Sequence, residues 1–186
     1  MLNSDERLIP PHGGYRDLKS FQMSEIVYDG TVAFCNRFIS LKSRTHDQMV
    51  QAARSGRQNI AEGRQASGTS RKTELKLVGV ARASLEELLL DFQDYLRQRG
   101  LPLWGKDDPR AQGVRRLAWQ PNRSYSTYKA YVEGGSPETA ANTLICLIHQ
   151  ASYLLDQQLR QLDQQFLEEG GMTERLYRMR KDRQRH

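Results

Sequence analysis

The sequence predicts an all-α protein: an antiparallel up-down four-helix bundle, with a long insertion between helices 3 and 4 and a basic helical C-terminal tail. Three observations lead there. Four segments repeat apolar residues at spacings of three and four. Helix-start chemistry stands ahead of three of them. No segment competes with these helices by alternating apolar and polar residues in the manner of a half-buried strand. A helix with one wet and one dry face must bury the dry one, and four such helices do so around a shared core.

The first helix is expected from Tyr15, after the Pro10, Pro11, Gly13 and Gly14 cluster, to about Leu41. Its stripe is Leu18, Phe21, Tyr28, Val32, Cys35 and Ile39, widened by Ile26, Val27 and Phe38. Thr45 followed by Gln48 reads as a capping box that opens the second helix. The inward positions of that helix, Met49, Ala53, Gly56, Ile60 and Gly63, are mostly small, so it trades apolar area for close backbone approach. Ser70 caps a third helix carrying Leu75, Val78, Ala81, Leu85, Leu88, Phe92 and Leu96, which ends near Gly100 and Pro102. Ser136, Pro137 and Glu138 form the clearest helix start in the chain: a capping hydroxyl, a preset φ and a negative charge at the positive end of the dipole. The fourth seam then runs Leu144, Ile148, Ala151, Leu155, Leu159, Leu162 and Phe166 to Gly170.

This gives a flexible start over 1–14, a bundle over 15–171 with its insertion at 100–135, and a tail over 172–186. The chain has 186 residues, enough for a core without disulfides or metals. Only Cys35 and Cys146 are present, and both sit in apolar helical patterns, so two buried reduced thiols are expected. The first residues lack a basic-then-apolar leader and no run of about 18 apolar residues occurs, so a cytoplasmic protein without a membrane role is expected.

The net charge of +6 is concentrated in two places. Residues 97–129 hold eight basic and two acidic groups, and 172–186 hold six and two, whereas 130–171 hold one and six. Such patches attract polyanions or acidic partners. The 36 residues from Gly100 to Gly135 far exceed an ordinary bundle connection. Within them Asp108 and Pro109 open a short helix to about Trp119, and Tyr125, Tyr128 and Val132 suggest another. Arg110, Arg115, Arg116, Arg123 and Lys129 are interleaved with Trp104, Trp119, Tyr125 and Tyr128, a mixture suited to phosphate contacts and base stacking. The competing reading is that the aromatics dock the insertion on the bundle and the charges are solvated. In the tail, Arg175, Arg178, Arg180, Lys181, Arg183 and Arg185 form a basic arm able to bind nucleic acid through counterion release.

Catalytic chemistry finds no constellation. His12, His46, His149 and His186 are scattered and form no metal-ligand spacing, and no cofactor is called for. His149 reads as a hydrogen-bonded residue at the core edge. Gly63 to Ser70 has the spacing of a phosphate-binding loop but lacks its Lys and follows a helix, so a helix-to-helix turn explains it.

Three strings carry a resemblance: Tyr15-Arg-Asp-Leu-Lys19, Gln58-Asn-Ile-Ala-Glu-Gly63 and Ala81-Arg-Ala-Ser-Leu-Glu-Glu-Leu88. They resemble the bacterial four-helix-bundle proteins encoded in intervening sequences of 23S ribosomal RNA genes. The resemblance covers about residues 15–100, and the fourth helix fits the same plan. The chain departs from the pattern at Ala83, where the family has Gly, and in its insertion and tail. Asp108-Pro-Arg110, the apolar run 144–150 and Glu169-Gly-Gly-Met-Thr-Glu-Arg175 look like the longer subgroup with a suffix domain. The resemblance implies a homopentamer. It also implies kinship with the accessory variability determinant of diversity-generating retroelements, which binds a reverse transcriptase and nucleic acid. Asn59, Ile60, Ala61, Glu62 and Gly63 are then structural or subunit-contact residues. Two functions are expected from these readings together: a non-enzymatic oligomeric adaptor for nucleic acid, RNA ahead of DNA, or for a nucleic-acid-handling protein; and alternatively a homo-oligomeric scaffold docking an acidic protein.

Overall fold

A computed structural model describes residues 13–184, and every regular element in that range is helical. Residues 1–12, most of the expected flexible start, lie outside the described range, as does Arg185 of the tail. The four long helices are α1 (Lys19–Phe38), α2 (Arg44–Ala66), α3 (Arg71–Gln98) and, after two short helices α4 (Pro109–Leu117) and α5 (Tyr125–Val132), α6 (Pro137–Glu169). The tail forms α7 (Met172–Arg183). Helices α1 and α3 each pack against both α2 and α6, so the four long helices share one core.

The chain enters α1 later than its sequence suggests. Tyr15–Asp17 is a single 3-10 turn behind Gly14, whose φ of 67° places it in the left-handed region. Leu18 is extended, with ψ of 124°, and α1 begins only at Lys19. At the other end Ile39 is extended again, leaving Leu41 outside the helix and exposed. The buried face of α1 keeps Phe21, Ile26, Val27 and Cys35 of the expected stripe but is wider than it. Tyr28 and Val32 are half-buried, while Ser20, Met23, Ser24, Thr31 and Phe34 are buried as well. Small hydroxyl residues occupy inward positions there, so a count of apolar residues alone understates the stripe. Phe34 is fully buried on this face, its ring centroid 5.0 Å from that of Phe92 and 4.9 Å from that of Tyr95, both on α3 and both edge-on.

Ser43, not Thr45, caps α2. It is extended (φ −80°, ψ 131°), and its side-chain oxygen accepts the N–H of Thr45. Two residues of lead were enough to hide this from the capping-box pattern, which Thr45 and Gln48 satisfy in sequence only. The small inward residues of α2 are buried as expected, and they set its distance from α3. A Cβ placed on Gly56 would lie 2.7 Å from Leu85 Cδ2. The segment Ser67–Thr69 is a turn between α2 and Ser70, which caps α3 by accepting the N–H of Thr73 at 3.2 Å. Gly100, with φ of 63°, then reverses the chain, and the N–H of Leu101 returns to the carbonyl of Leu96 at 2.9 Å. Ser136 caps α6 with Pro137 behind it, accepting the N–H of Thr139 at 3.1 Å.

The insertion is folded onto this frame, with α4 against α6 and α5 against α1 and α6. Trp104, Ala111, Val114, Tyr128 and Val132 are its buried anchors. Polar contacts secure the strap leading into α4. Asn142 Oδ1 accepts the N–H of Trp104 at 2.8 Å, and its amide group donates to the carbonyls of Pro102 and Glu138, both at 2.9 Å. Both cysteines are buried free thiols, and burial pushes the Cys35 thiol up to about 12. No helix among the described residues is long and apolar enough to cross a membrane.

Candidate nucleic-acid interface

The basic and aromatic residues of the insertion divide into anchors and free groups. Arg110 is an anchor. Its guanidinium stacks over the Trp104 ring at 4.6 Å and pairs with Asp108 at 2.8 Å and Glu138 at 2.9 Å. The same Glu138 oxygen accepts the Trp104 indole N–H at 2.8 Å. The hydrogen bonds from Arg110 hold the Asp108 carboxyl below its ordinary range. These contacts lock the start of α4 to the start of α6 and occupy the donors that a phosphate would need. Tyr128 is likewise withdrawn from the contact set, because its ring is completely buried and cannot stack on a base without leaving the core. Tyr125 is half-buried, and its hydroxyl donates to Glu133 at 3.0 Å, which together with burial holds its phenol well above the usual range. Lys129 is exposed beside the same Glu133, at 3.7 Å.

The remaining four sequence candidates of the insertion are placed differently. Arg115 is half-buried, with one guanidinium nitrogen donating to the carbonyl of Lys106 at 2.9 Å. Arg116 is exposed, and its side chain has no ion pair or hydrogen bond among the described residues. Trp119, just past the end of α4, is 88% exposed, so this large ring contributes almost nothing to the core. Arg123 is half-buried, and its Nε is enclosed without a hydrogen-bond partner. In the tail, Arg178, Arg180 and Lys181 are exposed on α7, and Arg175 and Arg183 belong to the same helix.

Arg115, Trp119 and Arg123 line one groove of about 530 Å³, completed by Lys19 and Met23 of α1, Ala118, and Cys146, His149, Gln150, Tyr153 and Leu154 of α6. Three cations and two aromatic rings therefore converge on an apolar floor, with no carboxylate in the lining among the described residues. Tyr153 is 62% exposed. Gln150 Oε1 is enclosed and has no partner among the described residues, like Arg123 Nε. His149 is exposed rather than held at the core edge by a hydrogen bond. Partial desolvation of its ring, opposed by Glu86 and aided by Arg115 and Arg82, lowers its pKa below the ordinary value and favours the neutral imidazole. A mixed-charge cleft between α2 and α3 contrasts with this one, because Arg44 there is accompanied by Asp47 and Glu87.

Lys19, His149, Gln150 and Tyr153 were not legible as site residues. Lys19 stands 81 positions before the insertion begins at Gly100, and the others fall off the α6 seam. The available signal was Tyr153 itself, a large aromatic residue beside a seam that already had its full complement of leucines and isoleucines.

The string Asn59–Gly63 has a structural setting. The Asn59 amide donates to the Ser55 carbonyl at 2.9 Å and to its hydroxyl at 3.1 Å, and Ser55 reaches Ser84 of α3 at 3.0 Å. Ile60 is core, Ala61 half-buried, Glu62 exposed, and Gly63 buried against Glu74 and Leu77 of α3. His46 is held by Asn36 at 3.0 Å. Among the described residues no three His, Cys, Asp or Glu side chains gather as a metal site. Comparison of the chain with known protein families, with curated proteins and with solved structures finds no match.

Proposed function

We propose that this chain is a non-enzymatic nucleic-acid-binding adaptor that favours RNA over DNA, with the groove between α1, α4 and α6 as its main contact surface and α7 as a second, electrostatic one. The observation that carries this reading is the lining of the groove: Lys19, Arg115 and Arg123 beside Trp119 and Tyr153, without a carboxylate among the described residues. Cations neutralise phosphates and release counterions, aromatic faces stack on bases of any identity, and unstacked bases are commonest in RNA loops and ends. Arg116, exposed one residue beyond Arg115 and without a side-chain partner among the described residues, adds a further cation.

The scaffold beneath is proposed as an antiparallel up-down bundle. Ser20 near the start of α1 bonds to Gln158 late in α6, and Arg37 near the end of α1 bonds to the carbonyl of Gly135 just before α6. Arg64 near the end of α2 pairs with Glu74 near the start of α3, while Met49 and Tyr95 share a cleft at the opposite ends of those helices. The resemblance to the intervening-sequence proteins adds a homopentamer, which would display the groove several times over. Exposed Val80 and Leu90 on α3 offer apolar area for such contacts. Multivalent display raises apparent affinity without new contacts.

The alternative, a scaffold for an acidic protein, draws on the same cations. One feature expected of it is pairing between insertion arginines and acids of the last bundle helix. Arg110 and Glu138 supply such a pair, but it closes within the chain and is spent on holding the insertion.

Fluorescence anisotropy against single-stranded RNA and DNA over a salt series tests the proposal. For the unmodified chain, binding should weaken steeply with salt. Lys19→Gln, Arg116→Gln and Arg123→Gln together should lower the slope of log K against log salt by about 2, at roughly 0.7 per single-strand phosphate contact. Absence of binding at low salt, or a slope unmoved by the triple substitution, would refute it.

A further inference from the structure

We propose that the groove receives one unpaired nucleotide, stacking its base on Trp119 or Tyr153 and gripping the adjoining phosphates with Lys19, Arg115 and Arg123, so that the protein selects single strands over duplexes. The inference rests on the nucleic-acid reading above and narrows it to a strand state. A volume of about 530 Å³ falls within the range of sites that enclose small ligands, so it holds one nucleotide but not a duplex.

Two features favour a base over a phosphate alone. Trp119 and Tyr153 are 88% and 62% exposed, an amount of wet aromatic surface that packing does not account for. Half-buried Leu154 adds an apolar surface to the lining, which a bare phosphate would not use. In a duplex the base faces are already stacked on one another, so only an unpaired base can offer a face to these rings.

The test uses the full chain and three labelled probes of equal length: a 12-nucleotide single-stranded RNA, the same strand in a blunt duplex, and an abasic ribose-phosphate strand. At equal salt the intact single strand should bind about tenfold tighter than either of the others, as expected when one stacked base is gained or lost. Trp119→Ala and Tyr153→Ala together should remove most of that margin while leaving duplex binding unchanged. Trp119 emission should fall on adding the single strand, and the change should vanish in Trp119→Phe, which retains an aromatic face and the affinity. Equal binding of all three probes overturns the nucleotide site and leaves general polyanion binding standing, as does a loss in the variants that is the same for duplex and single strand. No binding to any probe overturns both readings.

Discussion

Replacing Gly56 by Ala tests the close approach of α2 and α3 on which the core depends. In an exposed helix interior this change stabilises by about 1 kcal/mol, because Ala loses less backbone freedom on folding. Gly56 is buried, however, and the added methyl would meet Leu85 Cδ2 at 2.7 Å and Cγ at 3.0 Å. Leu85 is itself completely buried, so it has no solvent to swing into. Forcing an extra methyl into a filled core costs about 1–3 kcal/mol. Set against the helical gain, the net effect runs from about zero to 2 kcal/mol of destabilisation. Gly79 on α3 is the internal control: a Cβ there meets nothing within 4 Å, so Gly79→Ala should stabilise by about 0.5–1 kcal/mol. The two variants should therefore differ in the midpoint of thermal unfolding by several degrees, at roughly 2–4 °C per kcal/mol for a chain of this size. Circular dichroism at 222 nm through a thermal ramp, supported by urea titration, reads the difference. If Gly56→Ala stabilises as much as Gly79→Ala, the helices are further apart than described and the account of α2 is wrong.

Three other outcomes are expected. Asn142→Ala should destabilise by about 2–4 kcal/mol in urea titration, because it strands the Trp104 N–H and the Pro102 carbonyl beneath the insertion. Loss below about 0.5 kcal/mol would mean that the strap is not held there. Glu74 is buried beside Arg64, and burial raises its pKa, with Arg64 and Arg71 opposing. The native state therefore holds this proton more tightly than the unfolded chain, and the associated stability is lost as pH rises through the raised folded value. Glu74→Gln should thus gain on the unmodified chain as pH increases across that window and run parallel to it above; a difference independent of pH from 4 to 8 would contradict the shift. Finally, Cys35 is fully buried with its thiol pushed up to about 12, so at pH 8 only about one molecule in ten thousand carries the thiolate. Iodoacetamide should label it no faster than global unfolding, read by mass spectrometry; rapid labelling of native protein would contradict the burial.

Where local chemistry decided the structure, the sequence was enough to read it. Ser70 and Ser136 act as caps because a hydroxyl before a helix satisfies N–H groups that nothing else can, and both are where that rule puts them. Asp108 and Pro109 open α4 for the same reason. Errors arose where several residues competed for one role. Ser43 outcompeted Thr45 as a cap, and Ser20, Ser24 and Thr31 took inward positions on α1 that an apolar count gives to larger neighbours. The site was half legible. Trp119, Arg115 and Arg123 follow from the composition of the insertion, but Tyr128 and Arg110 share that composition and are anchors. Composition does not distinguish a ring that holds the insertion down from one left for a ligand; burial does. Lys19 and Tyr153 come from distant helices and join the groove only through tertiary packing.

The most direct measurement is photocrosslinking of a 4-thiouridine single-stranded RNA to the full chain, with the attached peptides mapped by mass spectrometry. Crosslinks should concentrate on Trp119 and its neighbours after α4 and on the α6 segment containing Tyr153, with weaker ones on α7. Crosslinks confined to α7, or spread evenly over the surface, would contradict the groove as the place where nucleic acid is held.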